Sequence, residues 1–187
     1  MEKLVNIHDA AEGLKAGKTL LYPTDTVWGL GCDASNEEAI QKIFDVKNRP
    51  KEQSFIVLVD SVAMLERYVA NIPEVCFDLI DFAARPLTII YDEPINLPKS
   101  LLAADGTIAI RVTEDMNCKK LIQRLRKPLV STSANISGQA NANSFAEISD
   151  AIKKSVDLIL NERLEEVMRK PSSIIKVGSD NGVKVIR

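Results

Sequence analysis

Apolar residues fall in short runs separated by amphipathic stretches, and that alternation predicts strands interleaved with helices. Asn6 is placed to cap a helix running to about Ala16, where Gly17 stops it. Thr19 to Tyr22 reads as the first strand, ended by Pro23. Ser35 and Glu38 have capping-box spacing ahead of a helix with Ala39, Ile40, Ile43, Phe44 and Val46 on its apolar side. That helix ends at Lys47-Asn-Arg49-Pro50, because the residue before a proline resists the helical region. Phe55 to Val59 reads as a buried strand, followed by a short helix at Met64 to Tyr68 and a proline-started helix from Pro73 to about Ala83.

Pro86 precedes a strand at Leu87 to Tyr91, and Asp105-Gly106 precedes another at Thr107 to Val112. Cys118 to Leu125 patterns as a helix, and Leu129 to Thr132 as a strand opening into Ser133-Ala-Asn-Ile-Ser-Gly138. Ser144 and Glu147 repeat the capping-box spacing before a helix to about Lys154. Leu158 to Leu160 and Ser173 to Val177 follow as strands, and Asp180-Asn-Gly182 signals a tight hairpin into Val183 to Ile186. There is no internal repeat, low-complexity tract or interdomain linker. The chain is expected to be one α/β domain, residues 1–187, around a mixed, twisted sheet.

Composition narrows the chemistry. At 187 residues, with 45% apolar and 27% charged positions, the chain is long enough for a real core. A net charge of −2 gives no global attraction to nucleic acid or anionic lipid, so any anion site must be a local cluster. No signal-peptide pattern or transmembrane run is expected. Cys32, Cys76 and Cys118 are odd in number and widely spaced, which fits a reducing cytoplasm better than disulfides or zinc; Cys32 reads as a small buried filler. The lone histidine, His8, falls at an exposed helix start, so a histidine-dependent nucleophile has almost no raw material.

The richest stretch is Leu20 to Ala34, where an apolar strand breaks at a proline into Thr24-Asp-Thr26 and two glycines around Leu30. Such a break offers short side chains and backbone N–H groups to a ligand. Asp25 suits either a turn or a magnesium ion, and Trp28 either a core or a ligand ring. No P-loop and no G-x-G-x-x-G is present, so phosphates would be held otherwise. Lys47 and Arg49 can clamp a triphosphate or merely cap a helix end. Arg111, after Ile108-Ala-Ile110, needs a partner, either an internal carboxylate or a ligand anion. Ser131-Thr-Ser133-Ala-Asn135 suits nucleotide hydrogen bonding or a self-satisfied turn.

Taken together, Tyr22 to Gly31, Lys47-Asn-Arg49-Pro50, Pro86-Leu-Thr88, Thr107 to Val112, Ser131 to Gly138, Pro171-Ser172 and Ile186-Arg187 resemble the YrdC-like family of threonylcarbamoyl-AMP synthases. They occur in the family's order across nearly the whole chain. The resemblance implies a twisted mixed sheet around a concave, positively charged cavity. It implies that L-threonine, bicarbonate or CO2 and ATP give threonylcarbamoyl-AMP and pyrophosphate, with Mg2+ accompanying ATP and no organic cofactor. The product would feed a separate transferase that makes N6-threonylcarbamoyladenosine at tRNA position 37. Cytoplasmic location and a weak tRNA contact belong to the same expectation.

The family's functional tetrad carries over to Lys47, Arg49, Ser133 and Asn135. Threonine contacts carry over to Thr26, Arg111, Ser131 and Ser172, with Trp28, in place of a tyrosine, as an aromatic wall. ATP contacts carry over to Arg49, Gln53, Thr107, Ser133, Asn141 and Arg187. Ala83-Ala-Arg85 stands where many members have Trp-Pro-Gly, and Leu58 where longer members place a threonine-binding histidine. The extra carboxyl-terminal domain of those longer members is expected to be absent. The competing readings are a non-catalytic RNA-binding module of the same fold, or a paralogue making a different carbamoyl-adenylate.

Overall fold

The computed structural model describes residues 3–49, 54–168 and 170–187. Ten strands form one mixed sheet: β1 (Leu4–Val5), β2 (Leu20–Tyr22), β3 (Gly29–Gly31), β4 (Ile56–Val59), β5 (Leu87–Tyr91), β6 (Ile108–Val112), β7 (Leu129–Ser133), β8 (Leu158–Leu160), β9 (Ser173–Val177) and β10 (Val183–Val185). Their spatial order is β1-β8-β2-β3-β7-β4-β6-β5-β9-β10. The pairs β1/β8, β2/β8, β4/β6 and β5/β9 are parallel, and the others antiparallel. Six α-helices accompany them among the described residues, α1 (Ile7–Lys15), α2 (Glu37–Lys47), α3 (Val62–Leu65), α4 (Val75–Asp81), α5 (Met116–Leu125) and α6 (Asp150–Ser155), with a 3-10 turn at Lys99–Leu101. Helices α1 and α5 pack on each other, α5 lies on β4, and α2 lies on β3.

Strand β3 was not expected, because Gly-Leu-Gly has almost no strand propensity. Packing makes it a strand. It lies between β2 and β7, all three residues buried. A Cβ on Gly31 would sit 1.9 Å from the Val130 carbonyl oxygen, so only glycine lets these backbones approach. β1, at two residues, is too short to leave a periodic signal.

Local side-chain bonds relocated several helix starts. Asn36, not Ser35, caps α2 by accepting from the Ala39 N–H at 3.0 Å. Ser35 is diverted to Asp33, donating both its hydroxyl and its N–H at 2.7 Å. The second capping box failed likewise: Glu147 reaches back to the Asn143 N–H at 3.0 Å, residues 144–148 stay in turns, and α6 waits for its cap at Ser149. In the first case the hydroxyl found a carboxylate acceptor and in the second the carboxylate found a backbone donor, each outside the helix start. Helix α2 ends on Asn48 in the left-handed conformation, φ 49°; Pro50 lies outside the described residues. α3 starts earlier than expected, on its Ser61 cap, and α4 is shorter at both ends. The final hairpin is looser than a two-residue turn: Val177 pairs with Val183, and Gly178 N–H donates to Gly182 O.

Sheet register sorts the central residues. Ile90, Ala109, Ile56 and Ser131 form one cross-strand row, and the next residues of that parity on β6 and β7 are Arg111 and Ser133. The opposite parity, with Val57, Val59, Ile108, Ile110 and Val130, is buried in the core. One face of the sheet therefore mixes Ala109, Arg111, Ser131 and Ser133 with Ile56 and Ile90, where the other carries branched apolar residues.

Candidate functional site

That mixed face bounds a cavity of about 300 Å³. The β2–β3 loop supplies Thr24, Thr26 and Val27, β3 supplies Gly29, and β7 supplies Ser131, Thr132 and Ser133. Arg111 comes from β6, Arg49 from the segment after α2, Ser172 from the approach to β9, and Ile186 and Arg187 from the chain end. Among the described residues three arginines line it and no acidic side chain does, which is the local cationic cluster that a chain of net charge −2 requires for anions.

The β2–β3 loop holds its shape through Thr24. Its buried hydroxyl donates to Val27 O at 2.7 Å, accepts the Thr26 N–H at 3.0 Å, and lies 2.9 Å from the Thr26 hydroxyl. Sequence reasoning passed over Thr24 as an organiser; the signal was the hydroxyl two residues before Thr26, the spacing of a Ser/Thr turn. Thr26 Oγ1 in turn accepts from Arg111 Nη1 at 3.3 Å. Arg111 is 3% exposed, and its Nη2 lies 3.2 Å from Asp25 Oδ1. Of its two possible partners, the internal carboxylate is therefore present. Arg111 Nε meets no acceptor among the described residues. Burial raises the Asp25 carboxyl above its ordinary value, opposed by the Arg111 charge. The Ser172 hydroxyl lies 2.9 Å from that of Thr88.

At the opposite end Lys47 is a hub. It is 1% exposed, and its ammonium donates to Ser133 O at 2.6 Å, Asn135 O at 2.7 Å and Asn135 Oδ1 at 3.2 Å. Its own carbonyl accepts the Ser137 N–H at 2.9 Å. Ser133 donates to Asn135 Oδ1 at 2.5 Å, and Asn135 Nδ2 to Gln139 O at 2.6 Å. The tetrad spacing K-x-R and S-x-N thus closes one loop, residues 133–139, around one buried cation. Burial, with the Arg49 charge adding to it, lowers the Lys47 ammonium to about 7. Arg49 donates to Ser54 O at 2.8 Å and stacks its guanidinium over Phe55 at 5.1 Å. Arg187 donates from Nε to Ser172 O at 3.3 Å.

Of the residues singled out in the sequence, Thr26, Arg49, Arg111, Ser131, Ser133, Asn141, Ser172 and Arg187 all line this one cavity. Lys47 and Asn135 stand directly behind it through Ser133. Thr107 is not on the lining; it opens the segment before β6 and gives its hydroxyl to Asp105 at 2.7 Å. Gln53 lies outside the described residues. Trp28 is no wall of the cavity: it is completely buried, with Phe145 at 5.2 Å between ring centres. Cys32 is fully buried, and burial drives its thiol far above the ordinary range, so it is the inert filler expected. Leu58 is buried beside Arg111 in register and does not reach the cavity.

Comparison with known proteins gives a consistent picture. The family model Sua5_yciO_yrdC, described as telomere recombination, matches residues 12–187. The threonylcarbamoyl-AMP synthase of Pseudoalteromonas translucida (strain TAC 125) is 38% identical over 154 residues, 81% of this chain and 82% of that protein. P. abyssi Sua5 complexed with L-threonine superposes with a TM-score of 0.87 at 26% identity, over 98% of this chain. The chain spans only 56% of that longer protein. E. coli YciO superposes with a TM-score of 0.84 at 27% identity, covering 97% of this chain and 87% of that one.

Proposed function

Because the chain belongs to the Sua5/YciO/YrdC family, we propose that it is an L-threonylcarbamoyladenylate synthase. It is a nucleotidyltransferase that converts L-threonine, bicarbonate or CO2 and ATP to threonylcarbamoyl-AMP and pyrophosphate. The observation that supports this most is the single cavity in which Thr26, Arg111, Ser131 and Ser172 share walls with Arg49, Ser133, Asn141 and Arg187. A carboxylate site and a polyphosphate site then open into one space, as a reaction between an amino acid and a nucleotide requires.

The chemistry needs no covalent nucleophile from the protein. The threonine amine adds to CO2 with loss of a proton, giving a carbamate. A carbamate oxygen attacks the α-phosphorus, and the bond to the β-phosphate breaks with release of pyrophosphate. Catalysis is positioning and charge neutralisation. Arg111 pairs with the threonine carboxylate, Nε and the unused η N–H groups being its donors. Thr26 contributes to amino-acid choice, and Ser131 and Ser172 complete the polar wall. Arg49 and Arg187 meet the triphosphate, and Ser133 and Asn141 fix the nucleotide. Lys47 spends its three protons on the 133–139 loop and acts on the phosphates through that loop and its charge.

Mg2+ arrives as part of the MgATP substrate. Among the described residues the cavity lining holds hydroxyls and guanidinium groups but no side-chain carboxylate, and there is no cluster of metal-ligating side chains, so these residues do not fit a resident metal. No helix among the described residues is long and apolar enough to cross a membrane. We place the reaction in the cytoplasm, its product passing to a transferase that modifies position 37 of tRNA, with a weak tRNA contact of its own.

Pyrophosphate release from ATP, measured with threonine and bicarbonate omitted in turn, tests the proposal. Release should require both. Release indifferent to either would sink it, and salt-sensitive tRNA binding without turnover would favour the RNA-binding reading instead.

A further inference from the structure

The β2–β3 loop holds two hydroxyls whose protons follow from the distances around them. Thr24 is 2% exposed, and its Oγ1 lies 2.7 Å from the Val27 carbonyl oxygen. Two oxygens that close need a proton between them, and a carbonyl has none to give. Thr24 has one hydroxyl proton, so it is spent on Val27. The same Oγ1 accepts the Thr26 N–H at 3.0 Å, with the Val27 N–H a longer contact at 3.3 Å. Its 2.9 Å contact with Thr26 Oγ1 is then left with one possible donor, the Thr26 hydroxyl. Nor is Thr24 free to turn. A Cβ placed on Gly29 would lie 3.1 Å from Thr24 Cγ2, so the methyl packs over the bare α-carbon of Gly29. In a β-branched side chain the seat of the methyl fixes that of the hydroxyl.

Thr26 therefore keeps lone pairs and no free proton. One lone pair receives Arg111 Nη1 at 3.3 Å, and no other donor reaches this oxygen among the described residues. Thr26 lines the cavity, so what it turns toward a ligand is an acceptor. We propose that Thr24 is a positioning residue that fixes this polarity: by taking the Thr26 proton it makes the amino-acid end select a side chain that donates a hydrogen bond. The donor that suits the place is a neutral hydroxyl, because an ammonium there would stand beside the Arg111 guanidinium and be repelled. A side chain with an oxygen that only accepts sets lone pair against lone pair and gains nothing from Thr26. This rests on the amino-acid reading of Thr26 and Arg111 given above.

Calorimetric titration with four amino acids, without ATP or bicarbonate, tests it. L-Threonine and L-valine share a shape and differ in the hydroxyl. O-Methyl-L-serine and L-norvaline share another and differ in an ether oxygen, which accepts but cannot donate. Wild-type protein should bind threonine about fivefold more tightly than valine and treat the second pair alike. Thr24→Val frees the Thr26 proton, so this variant should bind O-methyl-L-serine about fivefold more tightly than norvaline. Thr24→Ser, which keeps the hydroxyl, should behave as wild type. A merely structural role for Thr24 would weaken all four ligands and create no new preference. Wild-type protein that favours the ether over norvaline, or valine as much as threonine, overturns the inference, and this arm stands even if Thr24→Val does not fold. So does a folded Thr24→Val variant that treats the ether and norvaline alike. Wild-type protein that binds none of the four overturns the amino-acid reading itself, and this inference with it.

Discussion

The two ends of the cavity are built on opposite plans. The Arg111 end is made of strands and one tight loop. Its guanidinium is buried, already paired with Asp25, and held by Thr26, whose position Thr24 sets. The Lys47 end is made where elements stop: the last residue of α2 is a buried cation gathering carbonyls from the end of β7 and from the irregular chain after it. The first end is rigid because backbone ladders carry it. The second is held by donated bonds from one ammonium. Under the proposed assignment, a small carboxylate would be met by a preformed fork, whereas the polyphosphate would meet a loop whose shape depends on one proton inventory.

Three measurements press on that contrast. Arg111→Ala removes a charge-assisted contact worth about 2 kcal/mol and should raise the threonine KM about thirtyfold, with less effect on the KM for ATP. Equal loss for both substrates would erase the distinction between the ends. Lys47→Ala should slow turnover at least about tenfold, and Arg49→Ala likewise, in folded protein; wild-type rates in either would remove it from the phosphate end. The smallest effect concerns protonation. The Lys47 ammonium, lowered to about 7, should titrate near neutrality by 15N NMR of the ligand-free protein. A neighbouring anion favours the charged form, so ATP should move the midpoint upward by about one unit, and threonine alone should not. The same shift fixes the sign of the stability effect. Between about 7 and the model-peptide value of 10.5 the unfolded chain holds the extra proton. The cost of burying this cation is thus greatest below pH 7 and shrinks as pH rises through that window.

Much of this was legible in the sequence, for uneven reasons. β5, β8 and β9 came out with their observed ends because short apolar runs, bounded by proline or polar residues, encode burial directly. β3 was invisible because its cause is the closeness of Val130, far along the chain. The two capping boxes misled because Asp33 and Asn143 offered Ser35 and Glu147 nearer partners. At the site, residue types alone left Arg111 between an internal carboxylate and a ligand, and only the fold brings Asp25 to it. The tetrad could be recognised as a pattern, but that Lys47 grips the loop bearing Ser133 and Asn135 is a matter of tertiary distance.

Trp28 gives the protein something its chemistry does not use. It is the only tryptophan in the chain, and its indole is sealed against Phe145, with no acceptor for its N–H among the described residues. Its carbonyl also accepts the Ala134 N–H at 2.9 Å, inside the Ser133–Asn135 turn. The molecule therefore contains one indole fluorophore, in a dry environment, fastened between the loop that carries Thr26 and the loop that Lys47 gathers. A change in its emission reports rearrangement at that junction without any label.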